Sequence, residues 1–337
     1  MAGIKVGVIG VGRMGQRHCR VYANLRGAQL MGVTDANPEL GRKVAQQYDV
    51  PYFAKLEDLL AKVDAVSLVT PTPFHADLAR RCLDYGVHVL VEKPIAATLA
   101  EAEALTAAAE ASGKVVMVGH IERFNAAYME LKNVLETLTP LAVNFRRLSA
   151  FAGSNTDVDV VLDLMIHDTN LVLDLVGAEP IRVDAYGLNV ASSTIDHATV
   201  NLGFAAGPLV NLTASRVTEH KVRRIDVTAR EAYVECDLLE KSIYVYRATV
   251  GEYLPHNHRG VKYRQESVVE RIQVPIFEPM FLELQHFIEC VTEGKPPLVS
   301  ARDGLRAMAL ADQISRQIRA DLVRIGPALA VPAPAAA

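Results

Sequence analysis

Three short stretches carry residue types that can do chemistry together. Asp163 and His167 lie four residues apart in an otherwise apolar run, roughly 159–176, that is predicted to be helical. On an α-helix this spacing puts both side chains on one face, one turn apart. A carboxylate beside an imidazole fixes its tautomer and holds a proton acceptor ready near neutral pH. Lys93, within Glu92-Lys93-Pro94 at the end of a predicted strand, supplies a cation that can hydrogen-bond an oxygen and stabilise its developing negative charge. That cation would also lower the proton affinity of His167, while Asp163 would raise it. Ile9-Gly10-Val11-Gly12-Arg13-Met14-Gly15 matches G-x-G-x-x-G between a strand and a helix. The first glycine permits the tight turn, the second lets the backbone reach a pyrophosphate, and the third lets helix and strand pack closely. Asp35 follows Gly15 by twenty residues, at the end of the second strand. An acidic group there accepts hydrogen bonds from ribose hydroxyls and repels a 2′-phosphate, so NAD is expected over NADP, with Arg42 close enough in sequence to blur the preference. Taken singly, a strand-end lysine is most often a solvated charge, and the histidine can be a core-edge group. A dinucleotide loop, a lysine and an Asp–His pair in one chain imply hydride transfer from an alcohol.

These residues need a frame. The first 120 residues alternate strands (Ile4–Ile9, Gln29–Thr34, Ala65–Thr70, His88–Val91, Lys114–Gly119) with helices (Met14–Leu25, Glu39–Gln47, Leu56–Ala61, Asp77–Asp84, Leu99–Ala111). That alternation specifies an α/β fold, a doubly wound parallel sheet of Rossmann type. Ligands of such sheets bind beyond the carboxyl ends of the strands. Thr70-Pro71-Thr72-Pro73 and His75, after the Ala65–Thr70 strand, should therefore border the nicotinamide half, with Glu92 and Lys93 on the same rim; a rigid turn is the plainer reading of Pro73 and His75. Beyond residue 122 strand-like segments follow one another: Ala142–Phe151, Arg182–Val190, Ala198–Phe204, Val210–Val217, Arg224–Arg230, Tyr233–Leu238 and Ser242–Tyr246. They predict an α+β domain with an open, mostly antiparallel sheet, closed by helices at Pro279–Thr292 and Ala301–Arg319. The expected division is 1–122 for the dinucleotide, 123–326 for substrate and oligomerisation, and a disordered Pro/Ala-rich tail at 327–337. One apolar sheet face would be left exposed and need covering.

Bulk properties exclude other classes. Among 337 residues half are apolar and 22% charged, with a net charge of −4 and no basic stripe, which argues against a nucleic-acid partner. No apolar run reaches the ~18 residues of a membrane span, and a strand starting near Met1 leaves no room for a signal peptide. A cytoplasmic protein is expected. Cys19, Cys82, Cys236 and Cys290 are scattered without C-x-x-C pairing, so free thiols and no metal site are expected.

The motifs Gly10-x-Gly12-x-x-Gly15, Thr70-Pro71, Glu92-Lys93-Pro94 and Asp163-x-x-x-His167-Asp168, in that order, resemble the Gfo/Idh/MocA oxidoreductases over the whole chain except the tail. The resemblance implies NAD(P)-dependent chemistry on sugars or cyclitols. It also implies Lys93 and His167 at the reacting hydroxyl, Asp163 orienting His167, an often cis Lys93–Pro94 bond, and dimers or tetramers formed through the open sheet. Gly119-His120-Ile121-Glu122-Arg123-Phe124-Asn125, Asp196-His197-Ala198 and Thr218-Glu219-His220-Lys221-Val222-Arg223-Arg224 are similar to the branch that oxidises the 3-hydroxyl of UDP-N-acetylglucosamine. Ala126 and Thr72 depart from that pattern, where proline and asparagine are frequent. For such a substrate, Arg123, Arg216, Lys221, Arg223 and Arg224 are diphosphate candidates because guanidinium groups grip phosphate bidentately, and His120 and Asn125 are sugar contacts. Other sugars, sugar phosphates, inositols, an NAD-using glycosidase and a non-catalytic NAD-binding regulator stand as alternatives.

Overall fold

The computed structural model describes residues 3–151, 153, 158–247, 250–256, 260–266 and 268–325; the proposed tail at 327–337 lies outside them. The chain divides into two compact units, one of Met1–Phe124 with Phe277–Asp312 and one of Asn125–Ile276 with Gln313–Ala337.

In the first unit β1 (Ile4–Ile9), β2 (Ala28–Thr34), β3 (Ala65–Leu68), β4 (His88–Glu92) and β5 (Val116–Gly119) form one sheet, in the order β2-β1-β3-β4-β5. Every pairing in it is parallel. Val8, Val66, Leu68, Leu90 and Val118 are fully buried, as continuous apolar strands covered on both faces should be. Between the strands run α1 (Arg13–Tyr22), α2 (Pro38–Gln47), α3 (Leu56–Leu60), α4 (His75–Asp84) and α5 (Leu99–Ser112). Local chemistry sets their ends. Asn37 caps α2 by accepting from the Glu39 and Leu40 amides, with Pro38 at the first helical position. Thr98 and Glu101 form a reciprocal capping box on α5, which stops at Gly113 in the left-handed region.

Chain order alone assigns residues 277–312 to the second domain; the structure counts them with the first. The reason is packing. On α8 (Pro279–Glu293), Met280, Leu284, Phe287 and Ile288 join the same core cluster as β1 and α1. On α9 (Ala301–Ile325), Gly304 lies so close to β5 that an added Cβ would meet a Val118 methyl at 2.7 Å.

The second unit contains α6 (Ala126–Leu135), α7 (Ile166–Val176) and an eight-stranded sheet. Its strands are β6 (Pro140–Leu148), β7 (Arg182–Leu188), β8 (His197–Gly203), β9 (Leu209–Ser215), β10 (Val222–Ala229), β11 (Ala232–Asp237), β12 (Ser242–Arg247) and β15 (Val269–Ile272). The order is β15-β12-β11-β10-β6-β9-β8-β7, antiparallel throughout except for β6 against β9. Strands β13 (Val250–His256) and β14 (Gly260–Glu266) pair separately as a hairpin. One sheet face, including Val143, Phe145, Leu212, Ile225, Val234 and Val245, is buried. The other face differs from expectation. It carries Asn144, Arg146, Thr199, Asn201, Asn211, Thr213, Arg224 and Glu235 together with exposed Tyr186, Leu209, Tyr233 and Tyr246, so it is mixed and not apolar, because the period-two alternation turns all of these side chains outward.

Candidate active site

The glycine loop shows why each glycine stands where it does. Gly10 has φ +85°, and a Cβ there would meet the Val69 carbonyl oxygen at 2.7 Å. A Cβ on Gly15 would lie 2.0 Å from the Gly10 oxygen, so helix and turn close only over glycine. Gly12 is different. Nothing lies within 4 Å of where its Cβ would be, and it begins α1 without a side-chain cap, leaving open space before the first-turn amides of Arg13, Met14 and Gly15. Asp35 is anchored beside this space, Oδ2 accepting from the Val11 amide at 2.7 Å and Oδ1 from the Asn37 amide at 2.8 Å. Arg42, whose charge could have blurred cofactor preference, stacks 5.5 Å over the Tyr52 ring, and the Tyr52 hydroxyl donates to the Asp35 carbonyl. Thr70 Oγ1 is buried with no hydrogen-bond partner among the described residues. An uncapped helix start, an open glycine, a fixed carboxylate and an orphaned hydroxyl fit a dinucleotide.

Pro71 and Thr72 lead into a short 3₁₀ turn, Thr72–Phe74. His75 departs from its expected contact with cofactor. It is 1% exposed, its Nδ1 lying 2.8 Å from the Pro94 carbonyl and its Nε2 2.8 Å from the Thr70 carbonyl. It ties the two strand-end loops together, because a buried imidazole must find polar partners and both carbonyls are within reach. Lys93 is half-buried at the end of β4, and the Lys93–Pro94 peptide is cis. The preceding Glu92 turns inward, where Oε1 lies 3.2 Å from His18 Nε2 and Oε2 accepts from the Lys93 amide. His18 is fully buried, and its Nδ1 reaches Ser67, which in turn bonds Tyr22. Sequence reading passed over His18, although its place on the first helix after a glycine loop was the available signal. Burial works to raise the Glu92 carboxyl, but the His18 hydrogen bond and the charges of His18 and Lys93 outweigh it and hold it below the usual range. His120 is 1% exposed, and burial, Lys93 and Arg123 push its pKa down to about 3. Arg123 is also buried, donating to the Leu298 carbonyl.

In the second unit the Asp163–His167 helix is not a plain α-helix. Val161–Met165 is a π turn in which the Ile166 amide reaches back to the Val161 carbonyl, and α7 follows. Val160, Val161, Met165 and Ile166 are all fully buried, a five-residue repeat that the wider turn satisfies and a 3.6-residue period does not. Asp163, on the π turn, and His167, on α7, stay half-buried. The ends are pinned. Asp159 accepts from the Leu162 amide and from Arg319, and buried Asp168 takes Arg147 through both carboxylate oxygens at 2.9 Å from Nε.

Several expected substrate contacts have structural work instead. Asn125 caps α6, its Oδ1 accepting from the Ala127 amide and its Nδ2 donating to the Leu238 carbonyl. Arg216 is 6% exposed and donates to Asp196, the Val158 carbonyl and Thr194. Buried in this way it braces the 190–196 loop and is not placed as a phosphate grip. Arg223 is 9% exposed and donates to the Leu148 and Val222 carbonyls, while Arg224 pairs with Glu235 on the polar sheet face. Among the described residues no group of three or more His, Cys, Asp or Glu is placed to hold a metal, and all four cysteines are free and buried. No described helix is long and apolar enough to cross a membrane.

Comparisons with known proteins agree with this geometry. Residues 4–120 match the NAD-binding Rossmann fold of the Gfo/Idh/MocA oxidoreductase family, and residues 153–322 match its C-terminal alpha/beta domain. The chain is 33% identical to UDP-N-acetylglucosamine 3-dehydrogenase of Acidithiobacillus ferrooxidans, covering 96% of this chain and 100% of that one. A solved structure of that enzyme superposes with a TM-score of 0.85 at 32% identity, covering 95% of this chain and 99% of the other. The scyllo-inositol 2-dehydrogenase (NAD(+)) of Bacillus subtilis is 26% identical over 89% of this chain and 90% of its own length. Two matched domains, a full-length relative above 30% identity and a glycine loop shaped for a dinucleotide lead to one assignment: the chain belongs to the Gfo/Idh/MocA oxidoreductases.

Proposed function

We propose that this oxidoreductase uses NAD to oxidise the 3-hydroxyl of UDP-N-acetylglucosamine, or of a related nucleotide sugar, to a ketone. The observation that carries this reading is the end-to-end match to an enzyme of that activity. The motif residues Lys93, Asp163 and His167 are each partly open to solvent, Lys93 after β4, Asp163 on the π turn and His167 on α7, which supports this reading. NAD, when bound, supplies the hydride acceptor, and the carboxylate of Asp35 favours it over NADP. His167 Nε2 takes the proton of the substrate hydroxyl, Asp163 orients the imidazole, and the Lys93 ammonium hydrogen-bonds the same oxygen as negative charge builds on it. His120, neutral down to about pH 3, stands beside Lys93 without adding a competing charge. With Arg216, Arg223 and Arg123 engaged internally, exposed Lys221 is the strand-side cation proposed for the diphosphate. The protein is proposed to be a homodimer or homotetramer formed through the open sheet.

Incubating the protein with NAD and UDP-N-acetylglucosamine, and following NADH absorbance and the product's mass, tests the assignment. A 3-keto product with stoichiometric NADH is expected. Turnover of scyllo- or myo-inositol in its place would move the protein to the second reading, which the inositol dehydrogenase relatives favour.

A further inference from the structure

One buried group in the dinucleotide unit has no part in the chemistry above. Glu283, on α8, is fully buried, and neither carboxyl oxygen has a hydrogen-bond partner among the described residues. An unpaired ionised carboxylate in such a place is far too costly, so Glu283 carries a proton. Its electrostatic neighbour is Glu92, and burial together with that charge raises the Glu283 carboxyl well above the ordinary range. Glu92 is fixed by His18 and by the Lys93 amide. Gly119 pairs with Glu92 in register on β5, and a Cβ there would meet the Glu92 carboxyl at 3.2 Å, so the missing side chain is what admits the carboxylate. The elements packed on α8 bring few other titrating groups inward. They are His18, Cys19 and Tyr22 from α1 and Arg123 from the Ile121–Phe124 turn, while Lys5 of β1 turns out to solvent. Burial moves Cys19 and Tyr22 upward, which leaves both neutral. Glu92 sits directly before Lys93 at the carboxyl end of β4, the rim where ligands of parallel sheets bind.

We propose that Glu92 and Glu283 hold a single negative charge between them and sense the charge of the nicotinamide ring, the oxidised dinucleotide expelling the proton on the pair and the reduced one leaving it bound. The two cofactor forms share the same pyrophosphate and differ by the ring's positive charge, so comparing them isolates this effect. A cation near the rim favours the doubly ionised pair, and the proton departs from Glu283 to solvent. The pair then binds protons less tightly with oxidised cofactor than without it. Oxidised-cofactor affinity therefore rises with pH, by about tenfold per unit where a whole proton is released. Reduced-cofactor affinity changes little over the same range. Glu283 is thus a positioning residue for cofactor redox state. The idea needs no sugar substrate, so it stands or falls apart from the substrate assignment.

Titration calorimetry of NAD+ and NADH in buffers of different ionisation enthalpy counts the protons exchanged. The intact protein should release more protons with NAD+ than with NADH, and in Glu283→Gln, which keeps size and neutrality, that difference should shrink. Equal proton counts for the two forms in the intact protein, or an undiminished difference in Glu283→Gln, would overturn the proposal. Infrared difference spectra of the unaltered protein give a reading independent of the variant. The carbonyl stretch of a protonated carboxyl should vanish with NAD+ and persist with NADH, and its persistence in both complexes would count against the pair.

Discussion

His167 and Arg216 are both candidate site residues, and the structure separates them by burial. His167 is half-buried on α7, whereas Arg216 is enclosed and bonded to Asp196. Their substitutions should therefore fail in different ways. His167→Asn should lower kcat by about 10²–10⁴, the usual contribution of a general base, with NAD affinity unchanged by titration. Full turnover in that variant would remove His167 from the chemistry. Arg216→Met should instead remove the cation paired with buried Asp196, which keeps its Ser192 and amide hydrogen bonds, costing up to about 3 kcal/mol read as a fall in Tm. Asp196 also supplies an acid-side signature. Burial would raise its carboxyl, but hydrogen bonds from Ser192, from the Val190 and Ala191 amides and from Arg216 draw it down to about 2. Because the folded group holds its proton less tightly than the unfolded one, its stabilisation is complete above the ordinary carboxylate range and fades as pH falls from about 4 towards 2. Denaturant midpoints measured across that interval should fall more steeply in the intact protein than in Asp196→Asn.

At the level of elements, the glycine fingerprint was legible because its geometry follows from backbone sterics alone. A side chain at Gly10 or Gly15 would collide with backbone, Gly12 faces open space, and Asp35 is held by the Val11 amide. The π turn was not legible. Four-residue spacing of Asp163 and His167 fits an α-helix, and only the joint burial of Val160, Val161, Met165 and Ile166 forces the wider turn, a demand set by tertiary packing. His75 and Asn125 escaped for a related reason. Residues near a loop motif look like ligand contacts in sequence, and whether their polar atoms are consumed by nearby carbonyls and amides is visible only in three dimensions. The two helix-start glycines now make a contrasting prediction. Gly12→Ala adds a methyl to open space, so Tm should hold while NAD affinity falls tenfold or more by calorimetry, since the methyl takes up room intended for the pyrophosphate. Gly15→Ala collides with the Gly10 oxygen and should lose stability as well as binding. Equal Tm losses in the two variants would contradict this division.

For the molecule as a whole, the two-unit plan was readable from the change of rhythm after residue 122, but not the return of residues 277–312 to the first unit, since helices α8 and α9 look alike in sequence whichever core they join. The open sheet is the other point where scale matters. Alternation revealed a two-faced sheet, yet its outer face mixes exposed Tyr186, Leu209, Tyr233 and Tyr246 with a central band of asparagine, threonine and paired charge that the expected apolar surface did not include. Across the centre Asn144, Asn211 and Asn201 run in register from β6 through β9 to β8, while Arg146 and Arg224 pair with Asp226 and Glu235. A second copy meeting such a face would form an interface with a wet central band of side-chain hydrogen bonds and ion pairs, flanked by exposed Tyr186, Leu209, Tyr233 and Tyr246. The proposed oligomer should then weaken as ionic strength rises, because screening acts on exposed charges within about a Debye length. Asn211→Arg should dissociate it, by setting an unmatched cation at the centre of the face on both copies, while leaving the buried face and the fold intact. Sedimentation velocity at low and high salt checks both statements. An assembly indifferent to salt and to Asn211→Arg would show that the copies meet elsewhere.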